Sequence, residues 1–154
     1  MTQPEPVSFQ LEYAPDLFDE AKPLLEAHWR EIAHFKHIPL EPDWDQYRKL
    51  AEMNLLRVFT ARDKVTNEMI GYAVYFVRSN IHYKSSIQAV QDIIYINPYR
   101  RGFGREFISW CDEQLKSEGV QAVYHHVKKQ HNFGPMLEQQ GYELIDLIYG
   151  RRLD

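Results

Sequence analysis

Ile94-Tyr95-Ile96-Asn97-Pro98-Tyr99-Arg100-Arg101-Gly102-Phe103-Gly104-Arg105 is the stretch on which the reading of this chain turns. An apolar, strand-like run stops at Asn97-Pro98, and a short loop rich in Gly and Arg follows. Glu106 to Leu115 then reads as a helix, with Phe103, Phe107 and Trp110/Cys111 on one face. A strand, a Gly loop and a helix start together turn free backbone N–H groups and the positive end of a helix dipole onto an anion. Gly102 and Gly104 have no Cβ to keep phosphate oxygens away from the backbone. Arg100, Arg101 and Arg105 add charge, which suits a ligand with more than one phosphate. A lone Gly-x-Gly is equally an ordinary tight turn, so this stretch alone leaves both readings open.

Outward from the loop, hydrophobic periodicity orders the rest. Val7, Phe9, Leu11 and Tyr13 alternate with polar residues as in a half-buried strand. Asp16 is placed to cap a helix running to about Phe35, with a joint near Lys22 because Pro23 removes a donor. A second helix starts at Asp43 or Asp45 and passes through Tyr47, Leu50 and Met53. Leu56–Ala61 and Met69–Arg78 form a hairpin, and Ile87–Ile96 is a further strand. The helix after the Gly loop ends at Gly119, a C′ residue. Ala122–Val127 is a strand, Asn132–Gln140 a short helix closed by Gly141, and Tyr142–Tyr149 the last strand.

A chain of 154 residues fits a single domain, 1–154, with one core. Its 44% hydrophobic and 14% aromatic content argues against disorder. A net charge of −4 with mixed signs disfavours a general nucleic-acid binder. One cysteine makes neither a disulfide framework nor a zinc cluster, and Cys111 falls on the apolar side of its helix as a small core residue. The first residues are polar, with Pro4 and Pro6 and no signal-peptide core, and no run approaches the ~20 apolar residues of a membrane span. A cytoplasmic protein is the default expectation.

The element order is β-αα-β-β-β-α-β-α-β, and in that position the Gly loop resembles the pyrophosphate loop of the GNAT N-acetyltransferases, which bind acetyl-CoA. Their pattern is Arg/Gln-x-x-Gly-x-Gly/Ala. With Gly102 and Gly104 as its glycines the helix phase is good and Tyr99 takes the Arg/Gln slot; with Arg101 in that slot, Glu106 takes the last small position. The first register is preferred. Gly71-Tyr72-Ala73-Val74 looks like the family's third strand, and Gln140-Gly141-Tyr142 like its corner after the last helix. His28-Trp29-Arg30-Glu31-Ile32-Ala33, Asp43-Trp44, His82-Tyr83, Asp92 and His125-His126-Val127-Lys128 are similar to a subgroup often encoded by bacteriophages. The resemblance covers nearly the whole chain. It implies an α/β GNAT fold, a mixed sheet of about six or seven strands with about four helices. It also implies acetyl transfer from acetyl-CoA directly to an amine, with a homodimer allowed and no membrane or nucleic-acid partner. By position, the backbone of Ile94, Tyr95 and Ile96 would hold the pantetheine arm. Gly102, Phe103, Gly104 and Arg105 would bind pyrophosphate, and Arg100 or Arg101 would add charge.

Acetyl transfer needs a neutral amine, a polarised thioester and a protonated leaving thiolate. Asp92 is the most unusual charge, because it interrupts Ala89-Val90 and Ile93-Ile94-Tyr95 in a central strand. A carboxylate there is a general base with a raised pKa or a structural hydrogen-bond acceptor. Glu31 in the first helical region reads as an acceptor contact or a solvated face residue. His82 in the loop before the central strand reads as a proton relay or as merely exposed. His125 and His126 alternate, so one faces each side. Seven histidines without Cys or regular carboxylate spacing do not make a metal site. Leu137 stands where many family members carry a Tyr that protonates the thiolate. Asn132 resembles a pantetheine-contacting Asn and equally suits a helix cap. The missing Tyr and the short loop also fit a GNAT-fold interaction module that binds CoA weakly or not at all. Glu31, Glu41, Asp43 and Asp45, where the family builds its acceptor wall, favour a cationic amine.

Overall fold

The computed structural model of the chain describes residues 6–100 and 102–154. Five strands form one mixed sheet: β1 (Val7–Glu12), β2 (Leu56–Asp63), β3 (Met69–Ser79), β4 (Ile87–Ile96) and β5 (Ala122–Tyr124), side by side in chain order. The first four are antiparallel in succession, and β5 runs parallel to β4. Asp63 makes the β2–β3 turn by accepting the N–H groups of Val65 and Thr66 at 2.7 and 3.0 Å.

Four helices cover the two faces. α1 (Phe18–Ile32), entered through a 3-10 turn at Ala14–Leu17, and α2 (Trp44–Glu52) pack on one face. Their partners there are Leu56, Val58, Met69, Tyr72, Val74 and Tyr95. α3 (Gly104–Ser117) buries Phe107, Cys111 and Leu115 on the other face against Phe59, Ala73, Tyr75 and Ala89. Phe9 stacks on Phe107 with ring centroids 5.1 Å apart, and Trp110 meets Phe59 edge-on at 5.5 Å. α4 (Gly134–Gln139) buries Leu137. The buried thiol of Cys111 is pushed up by desolvation, as suits a core residue.

The expected order holds from β1 to α4, with corrections. α1 does not break at Pro23, because the lost donor falls in the second turn and the helix continues around it. Asp16 caps nothing; it sits inside the 3-10 turn, and neither that turn nor α1 has a side-chain cap. Asp43 does cap α2, accepting the Gln46 N–H at 3.0 Å. Gly119 and Gly141 end α3 and α4 with φ of +91° and +92°. β5 stops at Tyr124 instead of Val127, and residues 142–149 form no strand, so the sheet has five strands and not six or seven. Alternation marks a segment able to be a strand, but a strand also needs a ladder to join, and β5 is paired over three residues only.

Candidate active site

The Gly loop begins with a turn. Asn97 Oδ1 accepts the Tyr99 N–H at 3.0 Å and the Asn97 carbonyl accepts the Arg100 N–H at 2.9 Å. Gly102 has φ +125°, which side chains rarely adopt. α3 then starts at Gly104 with no side-chain cap. A Cβ on Gly104 would lie 3.1 Å from Ile96 Cδ1, so a residue this small lets the first turn of α3 sit against the end of β4. Arg105 is exposed beside it. The Arg100 guanidinium pairs with Asp63, whose carboxyl is held at about 2 by the Thr66 N–H first, then by Arg100 and the Val65 N–H. Arg101 lies outside the described residues.

Next to this loop the sheet opens. β4 and β5 share a ladder only from Gln88↔Ala122 to Val90↔Tyr124. Past that point a side chain spans the strands in place of backbone. Gln91, buried, meets His125 Nδ1 through Oε1 at 2.6 Å and donates from Nε2 to the His126 carbonyl at 3.5 Å. An amide oxygen only accepts, so Nδ1 carries a proton. Burial, with His126 nearby, depresses the His125 pKa to about 4. Tyr142 and Phe133 lie edge-on to its ring at 5.2 and 6.1 Å, and His126 is exposed.

Across β4 from that opening lies Asp92. Val74 pairs with Ile93 and Tyr75 with Gln91, so Asp92 is the extra residue of a β-bulge. The bulge puts Asp92 and Ile93 on the same face, towards α2, while Gln91 and Ile94 face α3. Tyr47 donates its hydroxyl to Asp92 Oδ2 at 2.5 Å. Burial raises the Asp92 pKa and the Tyr47 hydrogen bond offsets part of that rise. Burial, then Asp92, pushes the Tyr47 phenol well above its ordinary 10. Tyr72 is likewise raised by burial and by its neighbours Tyr95, Tyr47 and Asp92. The Tyr72 hydroxyl lies 3.3 Å from His28 Nδ1, and the His28 and Tyr95 rings are 5.0 Å apart. Asp92 thus ends a buried row of hydroxyl and imidazole groups between the sheet and the helices α1 and α2.

The other expected residues are placed as follows. Ile94 and Ile96 pack against the α3-side core and Tyr95 against the α1/α2-side core, all on the stretch of β4 that has left β5. Glu31 pairs with His131 at 3.4 Å, joining the end of α1 to the turn before α4. Asn132 does not cap α4, whose N-cap is Phe133 without a side-chain bond; Asn132 Oδ1 accepts the Gly134 N–H at 2.9 Å in a turn one residue earlier. His82 is set apart: its loop joins β3 to the start of β4, at the opposite end of that strand from the Gly loop. The sequence assigned no role in the chemistry to Tyr47, Tyr72, His28 or Gln91. Their only sequence signal was an aromatic or polar residue at a core-facing spacing, which ordinarily means packing. Among the described residues no three His, Cys, Asp or Glu side chains are grouped to hold a metal ion, and no helix is long and apolar enough to cross a membrane.

No protein-family model matches the chain, and no curated protein matches it. Solved structures do. A ribosomal-protein-alanine N-acetyltransferase from Brucella melitensis superposes with a TM-score of 0.70 at 17% identity, over 97% of this chain and 100% of that one. An aminoglycoside acetyltransferase from an uncultured soil metagenomic sample, in complex with sisomicin, gives 0.72 at 18% identity over 96% and 97%. A predicted acetyltransferase with acetyl-CoA from Clostridium acetobutylicum gives 0.69 at 14% identity over 96% and 97%. The fold of this chain is the GNAT fold, α/β with a mixed sheet and four helices.

Proposed function

We infer that this chain is an N-acetyltransferase that moves an acetyl group from acetyl-CoA directly to an amine. One observation carries the reading: the Gly loop and the opening of β4 from β5 meet, on the same strand, a bulged, half-buried carboxylate of raised pKa. The residues present fit the co-substrate. Gly102 leaves open space where a Cβ would stand, α3 has an uncapped first turn, and Arg105 is exposed beside it. Bound there, acetyl-CoA supplies the activated acetyl thioester. The N–H groups of Phe103, Gly104 and Arg105 would hold pyrophosphate, Arg100 would add charge from its seat on Asp63, and Ile94, Tyr95 and Ile96 would border the pantetheine arm.

Asp92 acts as the general base. An amine arrives as its ammonium form, and the Asp92 carboxylate takes the proton so that the nitrogen lone pair is free to attack. Tyr47 fixes the carboxylate in one orientation. Leu137, buried and apolar, gives the leaving thiolate no proton, so water supplies it. The acceptors named for solved structures of this fold, a ribosomal-protein alanine, an aminoglycoside and glucosamine-6-phosphate, have an amine as their common group. Exposed Glu41, before α2, and Asp45, in its first turn, favour a cationic one. Calorimetry with acetyl-CoA, followed by CoA release with aminoglycosides, polyamines and peptide N-termini, tests the reading. Absence of binding at millimolar acetyl-CoA refutes it.

A further inference from the structure

Between the sheet and the helices α1 and α2 lies a cavity of about 50 Å³ whose surface is wholly apolar. Tyr47 and Tyr72 give their rings to its walls, while their hydroxyls are engaged elsewhere, with Asp92 Oδ2 at 2.5 Å and His28 Nδ1 at 3.3 Å. Water in such a space finds no partner, so the space is dry and suited to carbon. Close-packed interiors leave few voids larger than a water molecule, and the lining of an empty one loses dispersion contacts. An apolar cavity of about 150 Å³ takes benzene, so one a third that size takes about two carbon atoms.

The cavity adjoins the proposed chemistry. The β4 bulge turns Ile93 to the same face as Asp92, and Ile93 lines the cavity. Tyr47 is shared, its ring in the cavity wall and its hydroxyl on the Asp92 carboxylate. A nitrogen held by Asp92 is therefore one aromatic ring away from the dry space. Leu25 and Trp44 line both this cavity and a wider surface cleft of about 400 Å³ beside α1, so they stand between the two. A carboxylate suits an ammonium group. The space beside it rejects a hydroxyl or a second charge, because neither finds a hydrogen bond there. Building on the acetyltransferase reading, we propose that the acceptor is a primary amine on an unbranched alkyl chain, its nitrogen at Asp92 and about two of its carbons in this cavity.

The unbranched alkylamines from methylamine to hexylamine, followed by CoA release, test this. Along the series kcat/KM should rise about fourfold for each of two successive methylenes, then level off. Ethanolamine, which has a hydroxyl where propylamine has its methyl group, should fall at least about tenfold below propylamine. Ala21→Leu fills the cavity from α1 and should remove the rise while acetyl-CoA affinity survives. Leu25→Ala joins the cavity to the cleft, so the rise should continue to hexylamine. Should Ala21→Leu fail to fold, Leu25→Ala and ethanolamine decide. Saturation-transfer NMR of the same amines on the chain alone reads the length dependence without turnover. It judges the cavity even where calorimetry finds no acetyl-CoA binding and the acetyltransferase reading has failed. Turnover indifferent to chain length overturns the proposal and leaves the acetyltransferase reading standing. A rise that persists in Ala21→Leu, one that stops at the wild-type length in Leu25→Ala, or ethanolamine equal to propylamine overturns it too.

Discussion

Tyr47→Phe tests the Asp92 assignment with the least disturbance. The ring remains and the hydroxyl that reaches Asp92 Oδ2 at 2.5 Å is removed. A hydrogen bond to an ionised carboxylate is worth about 1.5–3 kcal/mol, and one pKa unit corresponds to about 1.4 kcal/mol. One to two units is therefore the ceiling, and water entering a half-buried site replaces part of the bond, leaving about one unit. The direction is fixed by the chemistry. The phenol stabilises the carboxylate and holds its pKa down against burial, so its removal raises that pKa. A general base works when ionised, so the acidic limb of kcat/KM should move to higher pH by about one unit. The measurement is kcat/KM for CoA release with a saturating amine between pH 5 and 9. Asp92→Asn should abolish the limb and lower kcat by roughly 10²–10⁴-fold while acetyl-CoA affinity survives. A Tyr47→Phe limb that stays in place or moves down refutes the assignment.

Gly104→Glu should abolish the rise in melting temperature produced by acetyl-CoA, because it brings bulk against Ile96 and a negative charge to the phosphate loop; a retained shift, followed by differential scanning fluorimetry, counts against that loop. Leu137→Ala should lower the unfolding free energy by about 2–5 kcal/mol with little change in kcat of the surviving fold, as expected of a side chain that is 5% exposed; denaturant unfolding alongside turnover separates packing from chemistry. His125 is held neutral, with a folded pKa of about 4 against an ordinary 6.5. In that window the unfolded chain binds the extra proton, so stability should fall as pH drops from 6.5 towards 4, by an amount on the order of 3 kcal/mol. His125→Gln should flatten that part of the pH profile in urea unfolding.

The fold was legible in the sequence where its signals are local. The Asn97-Pro98 stop, the helical spacing of Phe103, Phe107 and Cys111, and the terminating Gly119 and Gly141 each act within a few residues. The strand expected at 142–149 failed for the converse reason. Its alternation is local but its partner is not, and no chemistry within Tyr142–Tyr149 reports that β5 ends after three residues. The Gly loop was readable because an anion site of the kind proposed would use consecutive backbone groups. The proposed proton-handling residues were not, because they are brought together across the fold. Tyr47 and Asp92 are 45 positions apart, and Gln91 and His125 are 34 apart. Their pairing depends on how α2 and the loop after β5 settle on the sheet.

Asp92 itself shows what sequence can and cannot say, and the difference can be put to a test. An acid inside an apolar strand was visible; the bulge that makes it tolerable was not, since a bulge is a relation between two strands. In a regular strand, alternation would put Asp92 towards α2 and Ile93 towards α3. The bulge instead gives both residues the α2 side, and every residue from Ile94 onward follows from that shift. Deletion of Asp92 should therefore be benign to the fold. Gln91 would pair with Tyr75 and Ile93 with Val74 as they do now, on consecutive rungs of an unbroken ladder, and no other side chain would change faces. Removal of a half-buried carboxylate also removes a desolvation cost. The variant should melt at or above the wild-type temperature and still bind acetyl-CoA, and its turnover should fall as far as that of Asp92→Asn. A deletion variant that unfolds would show that the bulge is required by the sheet; one that folds and turns over normally would remove Asp92 from the chemistry.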